Sequence, residues 1–64
     1  MKVNGSLAEL KESLTLYDYL ISQNYDLAVI AVERNGEIVP KATYKEVLLQ
    51  DEDTMEIVRF VGGG

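Results

Sequence analysis

Cysteine, histidine and tryptophan are absent from this 64-residue sequence, and proline occurs once. Without cysteine the chain can form no disulfide and has no thiolate to act as a nucleophile or a metal ligand. Without histidine it lacks the commonest general base and the commonest neutral metal ligand. These absences argue against an enzyme and against a metalloprotein, so we expect neither a metal site nor a bound cofactor.

Basic residues are also few: six lysines and arginines stand against eleven aspartates and glutamates, for a formal net charge of −5. Nucleic acids and anionic membranes attract basic faces, so neither is an expected partner. No apolar run approaches the roughly 20 residues of a membrane span, and no signal-peptide pattern opens the chain. We therefore expect a cytoplasmic protein whose acidity serves either solubility or attraction to a basic partner.

The length of the chain limits it to one small domain, with a core that supplies only about 3–5 kcal/mol. Little room remains for a cleft that could tune paired carboxylates for catalysis. We accordingly interpret Glu52 and Asp53 as solvated residues of a turn. No glycine-rich phosphate loop is present either.

The first third of the chain predicts two short strands and a helix. Residues 1–4 are extended, a turn signal follows at residues 4–6, and residues 7–13 could return as a second strand. Thr15 and Asp18 have the spacing of a helix N-cap and its partner. The helix would lay one apolar stripe on a sheet and end at an asparagine. The stripe residues are Leu16, Tyr19 and Leu20, and the asparagine is Asn24.

The rest of the chain predicts strands again. Residues 27–32 are almost continuously apolar, which is typical of a central strand buried on both faces. Asn35-Gly36 is the strongest short hairpin signal and predicts a returning strand at residues 37–39. A helical turn near residues 44–47 and a polar turn at residues 50–53 precede a last strand, residues 55–61. The order predicts an α+β fold with one helix on a four- or five-stranded mixed sheet.

Three glycines, Gly62, Gly63 and Gly64, follow the last predicted strand. Glycine loses the most conformational freedom on ordering, so we expect residues 62–64 to be a flexible tail beyond a domain of residues 1–61. The tail is either a frayed end or a functional one. A carboxylate on a chain without Cβ atoms could enter a narrow channel in another protein and be activated there as an acyl-adenylate.

Four segments of the sequence carry a resemblance to a known family. They are VNG at residues 3–5, TLYDYL at 15–20, VIAVERNGEIVP at 29–40 and EIVRFVGGG at 56–64. With these segments the chain resembles the ThiS-type sulfur carriers of thiamine biosynthesis, a branch of the ubiquitin-like β-grasp proteins. The Asn-Gly hairpin and the glycine end, at this separation and in a chain of this length, make the resemblance specific.

The resemblance implies a protein co-substrate rather than an enzyme. An ATP-using, E1-like activating enzyme of the ThiF type would adenylylate Gly64, and the adenylate would become a thiocarboxylate. The thiocarboxylate would then give its sulfur to the thiazole synthase ThiG. By the same resemblance, Gly63 has no side chain because the narrow channel of the partner enzyme leaves no room for one, and Gly62 belongs to the flexible tail.

The resemblance also implies that partners dock on the sheet near the tail, and that the free chain is a monomer. The candidate contact residues are Ile57, Val58, Arg59, Phe60 and Val61. Three alternatives stay open at this point. The chain could serve molybdopterin synthase as its small subunit, bind a partner through its sheet without using its terminus, or be conjugated to lysines as a protein modifier.

Overall fold

A computed structural model describes residues 1–60, which form one helix and a five-stranded sheet. The sheet order is β2-β1-β5-β3-β4; β1 and β5 are parallel, and the other neighbours are antiparallel. The elements are β1 (Lys2–Val3), β2 (Ser6–Leu7), α1 (Leu16–Ser22), β3 (Ile30–Arg34), β4 (Glu37–Ile38) and β5 (Thr54–Arg59). The last strand therefore lies in the middle of the sheet.

The helix forms as its capping residues predict. The Thr15 hydroxyl accepts a hydrogen bond from the Asp18 N–H at 3.1 Å, which satisfies one of the free donors of the first turn. Leu16 and Leu20 point into the core and are fully buried. Asn24 follows the helix with φ of 63°, a left-handed conformation that asparagine tolerates and that ends the helix.

Both hairpins turn on an Asn-Gly pair. Asn4 and Gly5 have φ of 52° and 82°, and Asn35 and Gly36 have φ of 52° and 87°. Two-residue turns of this kind need positive φ at both central positions, which asparagine and glycine adopt at low cost. The Asn35-Gly36 turn joins β3 to β4 as predicted.

The core lies between α1 and one face of the sheet. Its buried residues are Leu16, Leu20, Ile30, Val32, Tyr44, Leu49, Met55 and Ile57. Fully burying a side chain of this size contributes about 1.5–3 kcal/mol. Because the core within residues 1–60 has only these eight buried residues, each of them contributes substantially to the stability of the fold.

The prediction of a strand over residues 27–32 with two buried faces is wrong in two respects. Residues Leu27–Val29 form a 3-10 turn, whose Ala28 N–H bonds the Asp26 carboxylate at 3.0 Å, and the strand begins only at Ile30. Ala31 and Glu33 lie on the face away from the helix and are partly exposed. The run is apolar because Ile30 and Val32 are buried, and because Ala31 between them, on the opposite face, is a small apolar residue.

Three other boundaries differ from the prediction. The second strand is Ser6–Leu7, not residues 7–13, because that segment lacks the alternation that would give it a buried face. The helical turn begins earlier than predicted, at Lys41–Thr43, where Pro40 presets the backbone and accepts from the Thr43 N–H at 2.9 Å. It continues into the predicted residues, since the Val47 N–H bonds the Thr43 carbonyl at 3.1 Å. The last strand is Thr54–Arg59, and Val61 lies outside the described residues.

No helix formed by residues 1–60 has the length and apolar character needed to cross a membrane.

Candidate functional site

The strand β5 carries the chain toward its last residues. At its end the Phe60 N–H donates to the Val29 carbonyl at 2.7 Å, which fixes Phe60 beside the start of β3. The predicted tail of Gly62, Gly63 and Gly64 lies outside the described residues, as does Val61. The part of the site within the described residues is the end of β5 and the sheet around it.

The two faces of β5 have different environments. Met55 and Ile57 point into the core, and Ile57 is only 8% exposed. Ile57 is therefore not available at the surface, which corrects its place among the candidate contacts. Val58 and Phe60, each 56% exposed, are on the solvated side and stay candidates. Arg59 is exposed, but it is paired with Ile30 and so belongs to the helix side of the sheet.

We call the sheet face turned away from α1 the outer face. Cross-strand partners share a face, so the register places Ala31 with Val58 and Glu33 with both Glu56 and Ile38. The outer face thus combines exposed apolar side chains with acidic ones. Its residues are Lys2, Leu7, Ala31, Glu33, Ile38, Thr54, Glu56, Val58 and Phe60.

Two asparagines of the hairpin turns hold β5 in place. The Asn4 side chain accepts from the Ile57 N–H at 2.7 Å and donates to the Ile57 carbonyl at 3.3 Å. The Asn35 side chain accepts from the Thr54 N–H at 3.0 Å. Each side chain takes the place of a ladder bond just beyond the end of a neighbouring strand, β1 for Asn4 and β3 for Asn35. The strand that leads to the tail is therefore bonded along its length.

Asp53 is the hub of a buried polar network at the start of β5. Its carboxylate accepts from the Arg34 Nε at 2.9 Å, the Asn35 side-chain amide at 3.0 Å and the Gln50 N–H at 2.8 Å. Burial alone would raise the pKa of Asp53, but these three hydrogen bonds and the Arg34 charge outweigh it and lower that pKa. The network ties the polar turn to the β3–β4 hairpin.

The interpretation of Asp53 as a solvated turn residue is wrong, since it is only 4% exposed. Its neighbours Asp51 and Glu52 are exposed as expected. The sequence offered one usable signal, an aspartate directly before a strand, where its carboxylate can bond nearby backbone N–H groups. Nothing in the sequence pairs it with Arg34, because the two are brought together only by the sheet.

A shallow depression with a volume of about 270 Å³ is present among residues 1–60. It is lined by Leu10, Glu12, Ser13, Leu49, Gln50 and Asp51. It lies where the chain enters β5, and the six residues of β5 separate it from Phe60 by about 20 Å. Within residues 1–60 the Ser13 hydroxyl forms no hydrogen bond to Glu12 or Asp51, so the depression shows no paired nucleophile and base.

A family model described as the ThiS family matches residues 1–64, the whole chain. The chain belongs to the ThiS family. The sulfur carrier protein ThiS of Bacillus subtilis is 43% identical over 65 residues, which cover 100% of this chain and 98% of that protein. The predicted resemblance is confirmed, and the ThiS assignment is favoured over the molybdopterin-type carrier.

A solved structure agrees with the ThiS fold. The crystal structure of the thiamine biosynthesis protein ThiS from Geobacter metallireducens superposes with a TM-score of 0.84 at 29% identity, covering 98% of this chain and 96% of that one. The predicted α+β, ubiquitin-like β-grasp fold is thereby confirmed.

Another relative of this ThiS-family chain is a larger protein. A thiazole synthase of Paramagnetospirillum magneticum is 44% identical over 62 residues, which are 97% of this chain but 19% of that enzyme. The chain therefore spans about a fifth of the length of this curated relative.

Proposed function

We propose that the chain is a sulfur carrier of thiamine biosynthesis, with sulfur carried as a thiocarboxylate on Gly64. The observation that carries the proposal is the match along the full chain to a sulfur carrier protein ThiS of nearly the same length. The outer face supports it, because exposed Val58 and Phe60 lie within four residues of the glycine end in the sequence.

The proposed chemistry begins with an activating enzyme of the ThiF type, which uses ATP. The Gly64 carboxylate attacks the α-phosphorus of ATP, pyrophosphate leaves, and an acyl-adenylate forms. A hydrosulfide-level sulfur donor then attacks the acyl carbon, and AMP leaves with the bonding electron pair. The carboxylate oxygen that stays and the new sulfur make the thiocarboxylate. The chain supplies no catalytic group and is consumed and regenerated as a co-substrate.

Thiazole synthase is the proposed acceptor of the sulfur. A thiazole synthase relative contains a segment similar to this chain within a single polypeptide. Two domains joined in one chain are kept at high effective concentration, which suits a carrier and the enzyme that it serves. The chain would bind each enzyme as a monomer, and its cytoplasmic location remains a prediction.

Intact-mass spectrometry tests the sulfur-carrier proposal. The chain is incubated with ATP, magnesium, sulfide and a ThiF-type enzyme of proven activity. We expect a mass gain equal to the replacement of one oxygen by sulfur, located on Gly64 by fragmentation. An unchanged mass would overturn the proposal.

Two tail variants sharpen the mass-spectrometry test. Deletion of Gly64 and the substitution Gly63→Leu should both abolish sulfur loading, because one removes the acyl group and the other puts a side chain where the channel requires none. Both changes follow β5 in the sequence, so thermal unfolding should match the unmodified chain and serves as the folding control. A Gly63→Leu chain that loads normally would contradict the channel argument.

The exposed outer face favours a second candidate, a β-grasp module that binds a partner through its sheet alone. A short peptide added after Gly64 separates the two functions. It should block sulfur loading on a carrier, whereas a surface-binding module should keep its partner affinity.

A further inference from the structure

Glu33 and Glu56 lie directly opposite each other on β3 and β5, at the centre of the outer face. Like charges in directly opposed positions of an antiparallel pair destabilise the sheet. Neither glutamate side chain forms a hydrogen bond or a salt bridge within residues 1–60, so no contact there requires its charge. The free protein therefore keeps an unfavourable pair in its central strands.

No basic side chain within residues 1–60 forms a salt bridge with either glutamate. The one salt bridge in that part of the chain joins Arg34 to Asp53, and Lys45 lies over the Tyr17 ring at 4.7 Å. Lys2 is opposite Thr54, one diagonal step from Glu56, and forms no ion pair there. The negative charge of Glu33 and Glu56 is therefore available to a basic group from outside residues 1–60.

Apolar side chains border the glutamate pair on three sides. Val58 follows Glu56 along β5, Ala31 precedes Glu33 along β3, and Ile38 is the cross-strand neighbour of Glu33 on β4. Phe60 extends the apolar area toward the end of β5. A partner that covers this face would remove water from the glutamates, and their charge would then have to be paired.

We propose that the outer face docks on thiazole synthase through a patch that places an arginine or lysine side chain, ringed by apolar groups, over Glu33 and Glu56. The proposal rests on the proposed function for its partner and goes beyond it in the chemistry of the contact. Charge complementarity selects such a patch, because a cation relieves the repulsion between the two glutamates while the apolar border buries its own exposed surface. Arginine fits best, since its planar guanidinium can bond two carboxylates at once.

Binding of the chain to purified thiazole synthase, measured by calorimetry at two salt concentrations, tests this docking proposal. The double variant Glu33→Gln/Glu56→Gln keeps the size of both side chains and removes both charges. We expect the dissociation constant of the double variant to be about tenfold higher than that of the unmodified chain. Its affinity should also depend clearly less on the salt concentration. The thermal midpoint of the free variant should equal or exceed that of the unmodified chain, because the repulsion is gone.

The control for the double variant is Glu46→Gln, which removes one charge at an exposed glutamate after the Lys41–Thr43 turn. The neighbouring carbonyls of Tyr44 and Val47 bond the start of α1, so Glu46 lies on the helix side. The Glu46→Gln variant should bind thiazole synthase with the same dissociation constant as the unmodified chain. A double variant that binds as tightly as this control, or a chain without affinity for thiazole synthase, would overturn the docking proposal. Sulfur loading of the unmodified chain by the activating enzyme tests the proposed function separately.

Discussion

The side chain of Asn4 bonds both backbone groups of Ile57, accepting from its N–H at 2.7 Å and donating to its carbonyl at 3.3 Å. The strand β1 ends at Val3, so β5 would otherwise have unpaired backbone groups beside the first hairpin turn. Asn4 thus has two roles, a positive φ in the turn and a side-chain extension of the β1–β5 ladder. Both roles favour asparagine.

The two roles of Asn4 can be separated by substitution. Asn4→Gly keeps the positive φ and removes both side-chain bonds to Ile57. We expect a loss of about 1–2 kcal/mol in the free energy of unfolding, measured by urea denaturation, because each such bond contributes about 0.5–1.5 kcal/mol. The control is Asn24→Gly, at φ of 63° after α1, whose side chain forms no hydrogen bond within residues 1–60. Equal effects of the two changes would contradict the bridging role of Asn4.

The buried carboxylate of Asp53 should make stability depend on pH. Its pKa is lower in the folded chain than the ordinary value of 3.8. Its contribution is therefore fully present above that value and is lost as the pH falls through the folded pKa. Asp53→Asn should cost about 2 kcal/mol or more at pH 7 and flatten the loss of stability as the pH falls below the ordinary pKa of 3.8.

Urea denaturation at several pH values measures the Asp53→Asn effect. Asp51→Asn is the matched control, because it removes an exposed carboxylate from the same turn. It should change the free energy of unfolding by less than about 0.5 kcal/mol. If Asp53→Asn kept the acid sensitivity of the unmodified chain, the Arg34–Asp53 network would not be its source.

The hydroxyl of Tyr44 is buried without a hydrogen-bond partner within residues 1–60. The same burial raises the pKa of this tyrosine. Tyr44→Phe removes an unsatisfied polar atom and keeps the ring, so we expect the free energy of unfolding to rise by about 1 kcal/mol. Thermal unfolding checks this, with Tyr25→Phe at a partly buried ring as control. A clear loss of stability in Tyr44→Phe would mean that the hydroxyl is bonded after all, for example to a buried water.

The exposed ring of Phe60 should serve binding more than stability. Phe60→Ala should change the free energy of unfolding by less than about 1 kcal/mol, because the ring is already half exposed. Sulfur loading by the activating enzyme at limiting chain concentration should fall about tenfold, as expected for loss of an aromatic anchor. Ile21→Ala is the control, since Ile21 is 48% exposed but lies on α1. Equal loading of the two variants would argue against a contact at Phe60.

Local signals predicted much of the fold correctly. Three features depend only on neighbouring residues and could therefore be predicted from the sequence. They are the helix N-cap at Thr15, the helix end at Asn24 and the hairpin turn at Asn35-Gly36. The strand boundaries were less accurate. Residues 27–29 are apolar enough for a strand, but Asp26 caps them into a 3-10 turn, and an apolar run alone cannot distinguish the two.

The candidate site was predicted only in part. Val58 and Phe60 were identified together with Ile57, because alternation along a strand sorts residues into two faces without saying which face is covered. Only the position of α1 decides that Ile57 is buried and that Val58 is exposed. The Glu33–Glu56 pair could not be predicted, since it depends on the register between two strands whose paired residues are 23 positions apart in the sequence.

Sequence alone predicts the family, the helix, the two asparagine–glycine turns and the acidic charge. Each of these follows from residue identity or from neighbours within a few positions. Three features depend on the folded chain: the central place of β5, the burial of Asp53 against Arg34, and the set of residues that share the outer face. These depend on contacts between distant segments, and such contacts form only when burial of the shared core compensates for the entropy of closing the loops between them.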